Sequence, residues 1–139
     1  MKVELISYSQ PVKKDADKNP LSIAELAASV CYDSQPTETY RIAKGCKATG
    51  HQSVLEHISF TFHVTGVSRA LLAQLSRHRH ISLSVRSQRY CDESVMQYVN
   101  PFSGEDADVF DGMMADIAND YRILKEYHGA ANEDARSRR

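Results

Sequence analysis

The segment from residue 64 to residue 91 most restricts how this chain can fold, because it contains five arginines, two histidines and no carboxylate. The whole chain has a formal net charge of −1, so this segment carries +5 and the remaining residues carry −6. Two arginines about 8 Å apart repel each other by roughly 2 kcal/mol when the effective dielectric constant is about 20. No acid inside the segment offsets this repulsion. The charges must therefore be matched from elsewhere, and a bound anion is the most economical match.

Arginine and serine side chains are most concentrated at residues 77–90, which read RHRHISLSVRSQRY. The basic and hydroxyl-bearing side chains of interest there are Arg77, Arg79, Arg86, Arg89, Ser82, Ser84 and Ser87. Guanidinium groups and serine hydroxyls suit the oxygen atoms of phosphate and carboxylate groups. Because the sequence pI is only 6.6, the positive charge is local, and we expect a small anionic ligand rather than a nucleic acid.

Length and composition predict a soluble globular protein with a single domain, residues 1–139. Charged residues make up 25% of the chain and hydrophobic residues 42%, which is typical of that class. The apolar runs are too short to cross a membrane, and the N-terminal residues lack the apolar core of a signal peptide. Cys31, Cys46 and Cys91 are odd in number and form no CxxC motif. We therefore expect reduced thiols and a cytoplasmic location.

Alternation of apolar and polar residues predicts a strand at residues 57–64. Short runs that end at Gln10-Pro11 and Asn100-Pro101 predict a strand at residues 3–8 and a third candidate at 96–99. In the strand at 57–64, one face carries Ile58, Phe60, Phe62 and Val64. We expect an α+β fold with a mostly antiparallel sheet and with helices packed on one face of that sheet.

Helical spacing of apolar residues predicts helices at residues 20–32, 36–46, 68–76 and 105–128, and the opening of another at 133–139. Asn19, Ser68 and Ser103 are the expected N-terminal caps of three of these helices, and Gly129 is the expected stop of the long one. The long helix 105–128 should cover the apolar face of the strand at 57–64. The arginine-rich segment begins where helix 68–76 ends, which makes it a loop of fixed placement, suited to ligand contacts.

Alternative interpretations of the polar residues have less support. The five histidines of this region are His51, His57, His63, His78 and His80. Their spacing matches no standard zinc pattern, so we predict no metal site. A nucleophilic Ser87 would need a base and an orienting acid, and the segment has no acid, so we predict that Ser87 is a ligand residue. A basic loop that binds RNA is a further alternative.

Several ordered motifs are spread over most of the chain. They are GHQSVLEH at 50–57, ISFTFHV at 58–64, Gln74, Arg77-His78-Arg79 followed by seven residues and then Ser87, Arg89-Tyr90, and EDAR at 133–136. In this order they resemble the flavin-dependent thymidylate synthases. The resemblance implies a thymidylate synthase complementing protein-like fold, of which this chain would be the N-terminal portion.

The resemblance also implies an activity. Enzymes of this family convert dUMP to dTMP, with methylenetetrahydrofolate as carbon donor, NADPH as reductant and FAD as cofactor, and they need no cysteine nucleophile. It further implies a homotetramer whose sites are shared between subunits, with neither a nucleic acid nor a membrane as partner.

Carried over position by position, the resemblance assigns two sets of ligand contacts. The residues expected to contact FAD are Ser53, Arg77, His78, Arg79 and Val85. The residues expected to hold dUMP are Gln74, Arg77, Val85, Ser87, Arg89 and Arg136. Arginine and serine suit a phosphate, and glutamine can pair with the edge of a pyrimidine. No residue is assigned as catalytic, and no metal is expected.

Two features depart from the family pattern. Many members have Asn-Glu where this chain has Ser84-Val85, so only the backbone of Val85 can serve a ligand there. Family chains also continue well past the position of Arg139 and carry a further substrate arginine. We expect a fragment, with one half of a split product or a degenerate paralogue as alternatives. Such a chain, alone, is expected to turn over little or nothing. The alternative functions are a binding-only form for dUMP or FAD and a small RNA-binding module.

Overall fold

The structure is a computed structural model that describes residues 1–13 and 16–138. The chain divides into two compact units, Met1–Thr65 and the residues from Gly66 onward. Each unit combines its own set of elements, and each is described by itself. The prediction that residues 1–139 fold as one domain stays a prediction.

The first unit contains a two-stranded antiparallel sheet made of β1 (Lys2–Tyr8) and β2 (Phe60–Thr65). Val3 lies opposite Val64 and Leu5 lies opposite Phe62, which gathers apolar side chains on one face. The first predicted strand is confirmed to within one residue. The second begins at residue 60 instead of 57, because the residues just before it form a 3₁₀ helix, Gln52–His57.

The apolar face of this sheet is half-exposed, with Phe60 and Phe62 at 50% and 53% exposure. The expected packing of this face on the helix 105–128 joins residues of the two different units, so it stays a prediction. The sheet and the helices together confirm the α+β class.

Two helices and the 3₁₀ helix complete the first unit: α1 (Leu21–Cys31) and α2 (Arg41–Ala48) pack with Gln52–His57 around a small core of Ala28, Cys46 and Val54. Pro20 occupies the N-cap position of α1, one residue after the predicted cap Asn19, whose side-chain oxygen nevertheless accepts a hydrogen bond from the backbone N–H of Leu21 at 3.0 Å. Helix α2 starts five residues later than the predicted position 36.

Tyr40, directly before α2, has a left-handed backbone with φ +55°, which stops the right-handed helix from extending further toward the N-terminus. The N-terminal end of α2 is completed by Glu25, a buried residue of α1 with 1% exposure. Its carboxylate accepts hydrogen bonds from the N–H groups of Ile42 and Ala43 at 3.3 and 2.8 Å. It also accepts one from the Thr37 hydroxyl at 2.6 Å and one from the Thr37 N–H at 3.0 Å. A buried acid thus fastens the two helices together.

The second unit contains α3 (Arg69–Leu75), α4 (Glu105–Glu126), α5 (Asn132–Ala135) and a 3₁₀ turn, Arg136–Arg138. Ser68 caps α3 as predicted, because its hydroxyl accepts the N–H of Leu71 at 3.3 Å. Gly129 follows α4 with φ +66°, which confirms the predicted stop. The predicted cap at Ser103 is wrong, because the cap position is occupied by Gly104, which has no side chain to accept a hydrogen bond. Residue 139, the last of the predicted final helix, lies outside the described residues.

The third predicted strand, at residues 96–99, is also wrong, because within the described residues the sheet has two strands only. Side chains tie this segment to α4 instead. The Tyr98 hydroxyl donates to Asp111 Oδ1 at 2.8 Å, and Asn100 Nδ2 donates to the same oxygen at 2.7 Å. The rings of Tyr98 and Phe110 are 5.9 Å apart, edge to face. A short strand-like run can therefore come from side chains that pack on a helix, without any partner strand.

Among the helices that the structure describes, none is both long enough and apolar enough to span a lipid bilayer.

Candidate functional site

The arginine-rich segment leaves the C-terminal end of α3, as predicted. The N–H groups of Arg77 and His78 donate to the carbonyls of Gln74 and Leu75 at 3.1 and 3.0 Å, and these bonds complete the last turn. Beyond that turn, residues 78–90 form neither helix nor strand. His80 has a left-handed backbone with φ +65°, a conformation uncommon outside glycine, so the segment turns sharply directly after Arg79.

Arg86 points into the second unit and is matched by an acid of the protein. Its Nη1 lies 2.6 Å from Glu93 Oε1, and its Nη2 donates to the carbonyl of Asp92 at 3.0 Å. The Arg86 carbonyl in turn accepts a hydrogen bond from Arg69 Nη2 at 2.8 Å. Glu93 is buried, with 3% exposure. Arg86, whose own side chain is 54% exposed, therefore ties the loop to a buried carboxylate at the position between Val85 and Ser87.

Two residues of α4 anchor the end of this loop. The hydroxyl of Tyr121, which is 1% exposed, accepts the N–H of Glu93 at 3.3 Å and donates to Asn132 Oδ1 at 3.2 Å. Lys125 Nζ lies 2.5 Å from Asp92 Oδ2. The hydrogen bond from Lys125, aided by bonds from Ser94, holds the pKa of Asp92 well below its ordinary value. The loop, α4 and α5 are thereby joined through a buried phenol and an exposed ion pair.

Arg89 is held at the surface by Glu133 of α5. Its Nε lies 2.6 Å from Glu133 Oε2, and both side chains are about half-exposed. The N–H of Arg89 donates to Ser87 Oγ at 3.2 Å, and its guanidinium carbon lies 5.8 Å from the centre of the Tyr90 ring. Arg136 follows Glu133 by three residues, at the start of the 3₁₀ turn. The structure therefore brings the loop with Ser87 and Arg89 next to the helix that leads into Arg136.

Arg77 and Arg79 differ from Arg86 and Arg89, because neither forms an ion pair with any carboxylate that the structure describes. Both side chains are exposed. The expectation that a bound anion matches the whole cluster is thus too broad, since Arg86 and Arg89 use the protein's own acids. It stays a prediction for Arg77 and Arg79, which stand two residues apart just after the end of α3.

The remaining predicted contacts fall in two places. Gln74, His78 and Val85 are exposed residues of the second unit, at the end of α3 or in the loop that follows it. Ser53 is an exposed residue of the 3₁₀ helix Gln52–His57 in the first unit, where the neighbouring Val54 is buried in the core. How Ser53 and the arginine-rich loop combine in one site stays a prediction.

Four residues that fix the loop were missed in the sequence: Glu93, Tyr121, Lys125 and Glu133. A signal existed for two of them. Asp92-Glu93 are the first acids after the acid-free segment, and Glu133 belongs to the EDAR motif. Tyr121 lies in the apolar stripe of α4, where its hydroxyl gives no periodic signal.

The comparisons with known proteins agree with this description. A family model described as "Thymidylate synthase complementing protein" matches residues 6–138. A flavin-dependent thymidylate synthase from Nitratidesulfovibrio vulgaris is 46% identical over 99 residues, covering 63% of this chain and 40% of that protein. The enzyme of the same name from Mycolicibacterium vanbaalenii is 37% identical over 119 residues, covering 76% of this chain and 47% of that protein. The chain therefore spans less than half the length of these two relatives.

Solved structures show the same fold. A crystal structure of Thymidylate Synthase X from Helicobacter pylori with FAD and dUMP superimposes with a TM-score of 0.69 at 25% identity. That match covers 99% of this chain and 72% of the other. A second structure of the H. pylori enzyme, complexed with FAD and dUMP, gives a TM-score of 0.65 at 27% identity. With a family model matched over nearly its whole length, this chain belongs to the thymidylate synthase complementing protein family.

Proposed function

We propose that this chain forms the arginine-bearing wall of a ligand site in a flavin-dependent thymidylate synthase. The reaction would convert dUMP to dTMP, with methylenetetrahydrofolate as carbon donor and NADPH as reductant. The observation that carries the proposal is the pair of exposed guanidinium groups, Arg77 and Arg79, which no described carboxylate neutralises. They stand in a motif that belongs to a family whose relatives bear this name.

The cofactor of the proposed site is FAD, and the residues present fit it. FAD carries a pyrophosphate, and two unpaired guanidinium groups two residues apart can donate several charge-assisted hydrogen bonds to such a group. Ser53, His78 and the backbone of Val85 are the further proposed contacts. When bound, FAD would carry reducing equivalents between NADPH and the one-carbon unit.

The proposed substrate is dUMP. Ser87, Arg89 and Arg136 would hold its phosphate or the adjoining sugar and pyrimidine, and Gln74 would pair with an edge of the pyrimidine. Arg77 and the backbone of Val85 complete the proposed set. The ion pair between Arg89 and Glu133 supports this assignment, because it gathers two of the proposed segments at one place in the second unit.

The proposed assembly is a cytoplasmic homotetramer with sites shared between subunits. One short chain offers too few groups to enclose a flavin, a nucleotide and a folate together. Exposed apolar residues also favour an oligomer, since Leu26 and Val30 of α1 face outward with 56% and 74% exposure. Neither a nucleic acid nor a membrane is proposed as a partner.

A flavin-binding experiment tests the proposal. The purified chain is mixed with FAD, freed of unbound cofactor, and examined for visible flavin absorbance, together with an Arg77→Ala/Arg79→Ala double variant. The wild type should retain flavin and the double variant should lose it. Arg122→Ala is the matched control, because Arg122 is an exposed arginine of α4 whose side chain donates a hydrogen bond to Asn119 of the same helix.

Catalysis is examined with a tritium-release assay on 5-tritiated dUMP in the presence of FAD, NADPH and methylenetetrahydrofolate. Absence of flavin binding, combined with an RNA affinity that falls steeply with salt, would replace the enzyme by the RNA-binding alternative. Flavin binding with no tritium release would instead support the binding-only form.

A further inference from the structure

We propose that Glu133 is a positioning residue that presents Arg89 to an anionic ligand, an inference that rests on the proposed dUMP site. Glu133 grips Arg89 through Nε only, with Nε and Oε2 2.6 Å apart. The two terminal nitrogens of Arg89 have no acceptor among the residues that the structure describes. One side of the guanidinium is therefore held while its outer edge stays open.

A comparison with Arg86 shows what this arrangement means. Arg86 uses both terminal nitrogens for groups of the protein, one on Glu93 and one on the Asp92 carbonyl, so each of them already has an acceptor. A guanidinium binds a phosphate best through two parallel N–H groups. Arg89 keeps such a pair of N–H groups available, and Arg86 does not.

The support beneath Arg89 is itself fixed. Glu133 lies in α5, which is tied to α4 by the bond from the Tyr121 hydroxyl to Asn132 and by the burial of Ala135. On the loop side, the N–H of Arg89 is bonded to Ser87 Oγ at 3.2 Å. A long side chain loses much of its rotamer freedom when it binds a ligand, and a side chain that is already held loses less. Glu133 thus orders Arg89 before the anion arrives.

The negative charge of Glu133 is not what this role needs. A carboxylate beside an anion site repels the anion, whereas the orientation of Arg89 requires only an oxygen that accepts the Nε–H. Glutamine supplies such an oxygen without the charge. The inference therefore separates Glu133→Gln, which should keep the function, from Glu133→Ala, which should not.

The experiment compares the wild type, Glu133→Ala, Glu133→Gln and Asp134→Ala. Asp134 is the matched control, because it carries the same charge on the same helix and its side chain has no partner among the described residues. The first measurement is the hydrogen-exchange rate of the Arg89 Nε–H by ¹⁵N NMR without ligand. It should be slow in the wild type and in Glu133→Gln, and fast in Glu133→Ala.

The second measurement is a calorimetric or NMR titration with dUMP and, separately, with inorganic phosphate. Glu133→Ala should bind dUMP about three- to ten-fold more weakly, because ordering one long side chain then falls on the binding step. Glu133→Gln should bind at least as well as the wild type, and Asp134→Ala should bind no more weakly than the wild type. A parallel loss with inorganic phosphate assigns Arg89 to the phosphate, and a loss with dUMP alone assigns it to the nucleoside.

Different results overturn different statements. If Glu133→Ala and Glu133→Gln bind dUMP equally well, and both more tightly than the wild type, Glu133 competes with the ligand for Arg89 and the inference is wrong. Unchanged binding by Glu133→Ala, with the wild type binding dUMP, would end the inference and leave the proposed function intact. Failure of the wild type to bind either probe would remove the proposed dUMP site, and the inference with it.

Discussion

Two regions of this chain differ in whether their charged side chains have partners within the protein. In the first unit, the carboxylate of Glu25 is buried and accepts four hydrogen bonds, two from Thr37, which precedes α2, and one each from Ile42 and Ala43 in its first turn. In the second unit, the guanidinium groups of Arg77 and Arg79 are exposed, and none of the described carboxylates pairs with them. The first charge is satisfied by the protein, and the second pair is the one that we propose for a ligand.

The pKa of Glu25 shows how complete that satisfaction is. Burial by itself would raise the pKa, but the hydrogen bonds from Ala43, Thr37 and Ile42 outweigh burial and leave the pKa below its ordinary value. The bonds of Glu25 thus mark a charge that stabilises the fold, whereas Arg77 and Arg79 form no such ion pair among the described residues. Removing Glu25 should lower stability without a specific effect on ligand affinity. Removing Arg77 and Arg79 should lower ligand affinity with little effect on stability.

The largest effect is expected for Glu25→Ala. The change leaves the N–H groups of Ile42 and Ala43 and both donors of Thr37 without their acceptor, at about 1–3 kcal/mol for each donor that stays buried. We expect a loss of about 3 kcal/mol or more in the free energy of unfolding, measured by urea denaturation at pH 7. Glu38→Ala is the control, because Glu38 is an exposed acid in the segment between α1 and α2.

The stability lost in Glu25→Ala should also depend on pH, and the pKa of Glu25 gives the direction of that dependence. Because the folded pKa of Glu25 lies below its ordinary value of 4.5, its contribution is present above pH 4.5 and is lost as the pH falls through the folded pKa. The deficit of Glu25→Ala should therefore shrink in acid. A deficit that stays constant down to the lowest pH would mean that Glu25 acts through packing alone.

Arg89→Ala should produce the next largest effect, on binding instead of stability. Each charge-assisted hydrogen bond to dUMP is worth about 1.5–3 kcal/mol. Affinity for dUMP should therefore fall about ten- to a hundred-fold by calorimetry. The loss of the exposed pair with Glu133 should change stability little. Unchanged dUMP affinity would remove Arg89 from the site, and a large loss of stability would place Arg89 with Glu25 as a structural charge.

Tyr121→Phe tests the anchor beneath the exposed charges. The variant keeps the buried ring but removes the hydroxyl that joins Glu93 to Asn132. We expect a loss of about 1–2 kcal/mol in the free energy of unfolding, because the Glu93 N–H is left without this acceptor in a buried place. Tyr127→Phe is the matched control, since Tyr127 is 79% exposed. Equal stability of the two variants would show that the hydroxyl of Tyr121 has no anchoring role.

Local signals allowed much of the fold to be predicted from the sequence. The cap at Ser68, the stop at Gly129 and the helices α1, α3 and α4 all follow from residues within a few positions of one another. The position of the arginine motif at the end of a helix follows from the same local pattern. The predicted strand at 96–99 was wrong because Tyr98, and Asn100 directly after the segment, bind α4, and these contacts lie outside any local window.

The sequence could not show which charged side chains pair with one another or which are buried. Whether Arg89 meets Glu133 depends on a contact between residues 44 positions apart, and the charge count of the segment is the same either way. The burial of Glu25 is equally hidden, because the apolar spacing of α1 emphasises Leu26 and Val30, which are exposed. The side of α1 that is buried carries Ala24, Glu25, Ala28 and Ser29. Small side chains permit the close approach of helices that hydrophobicity alone does not indicate.

The smallest effect is expected for Asp92→Asn, which removes an ion pair whose side chains are 52% exposed at Asp92 and 27% exposed at Lys125. The pKa of Asp92 lies below its ordinary value of 3.8, chiefly through the hydrogen bond from Lys125, so its contribution is lost as the pH falls below 3.8. The pKa of Lys125 lies above its ordinary value of 10.5, chiefly through the hydrogen bond to Asp92, so the pair is lost again as the pH rises above 10.5. Solvent screens exposed pairs strongly.

Between pH 3.8 and pH 10.5, the urea midpoint of Asp92→Asn should lie slightly below that of the wild type. The shift should be smaller than that of Tyr121→Phe, and it should disappear in acid. A shift as large as that of Glu25→Ala would mean that the exposed pair, and not the buried phenol, is the main anchor of the arginine-rich loop.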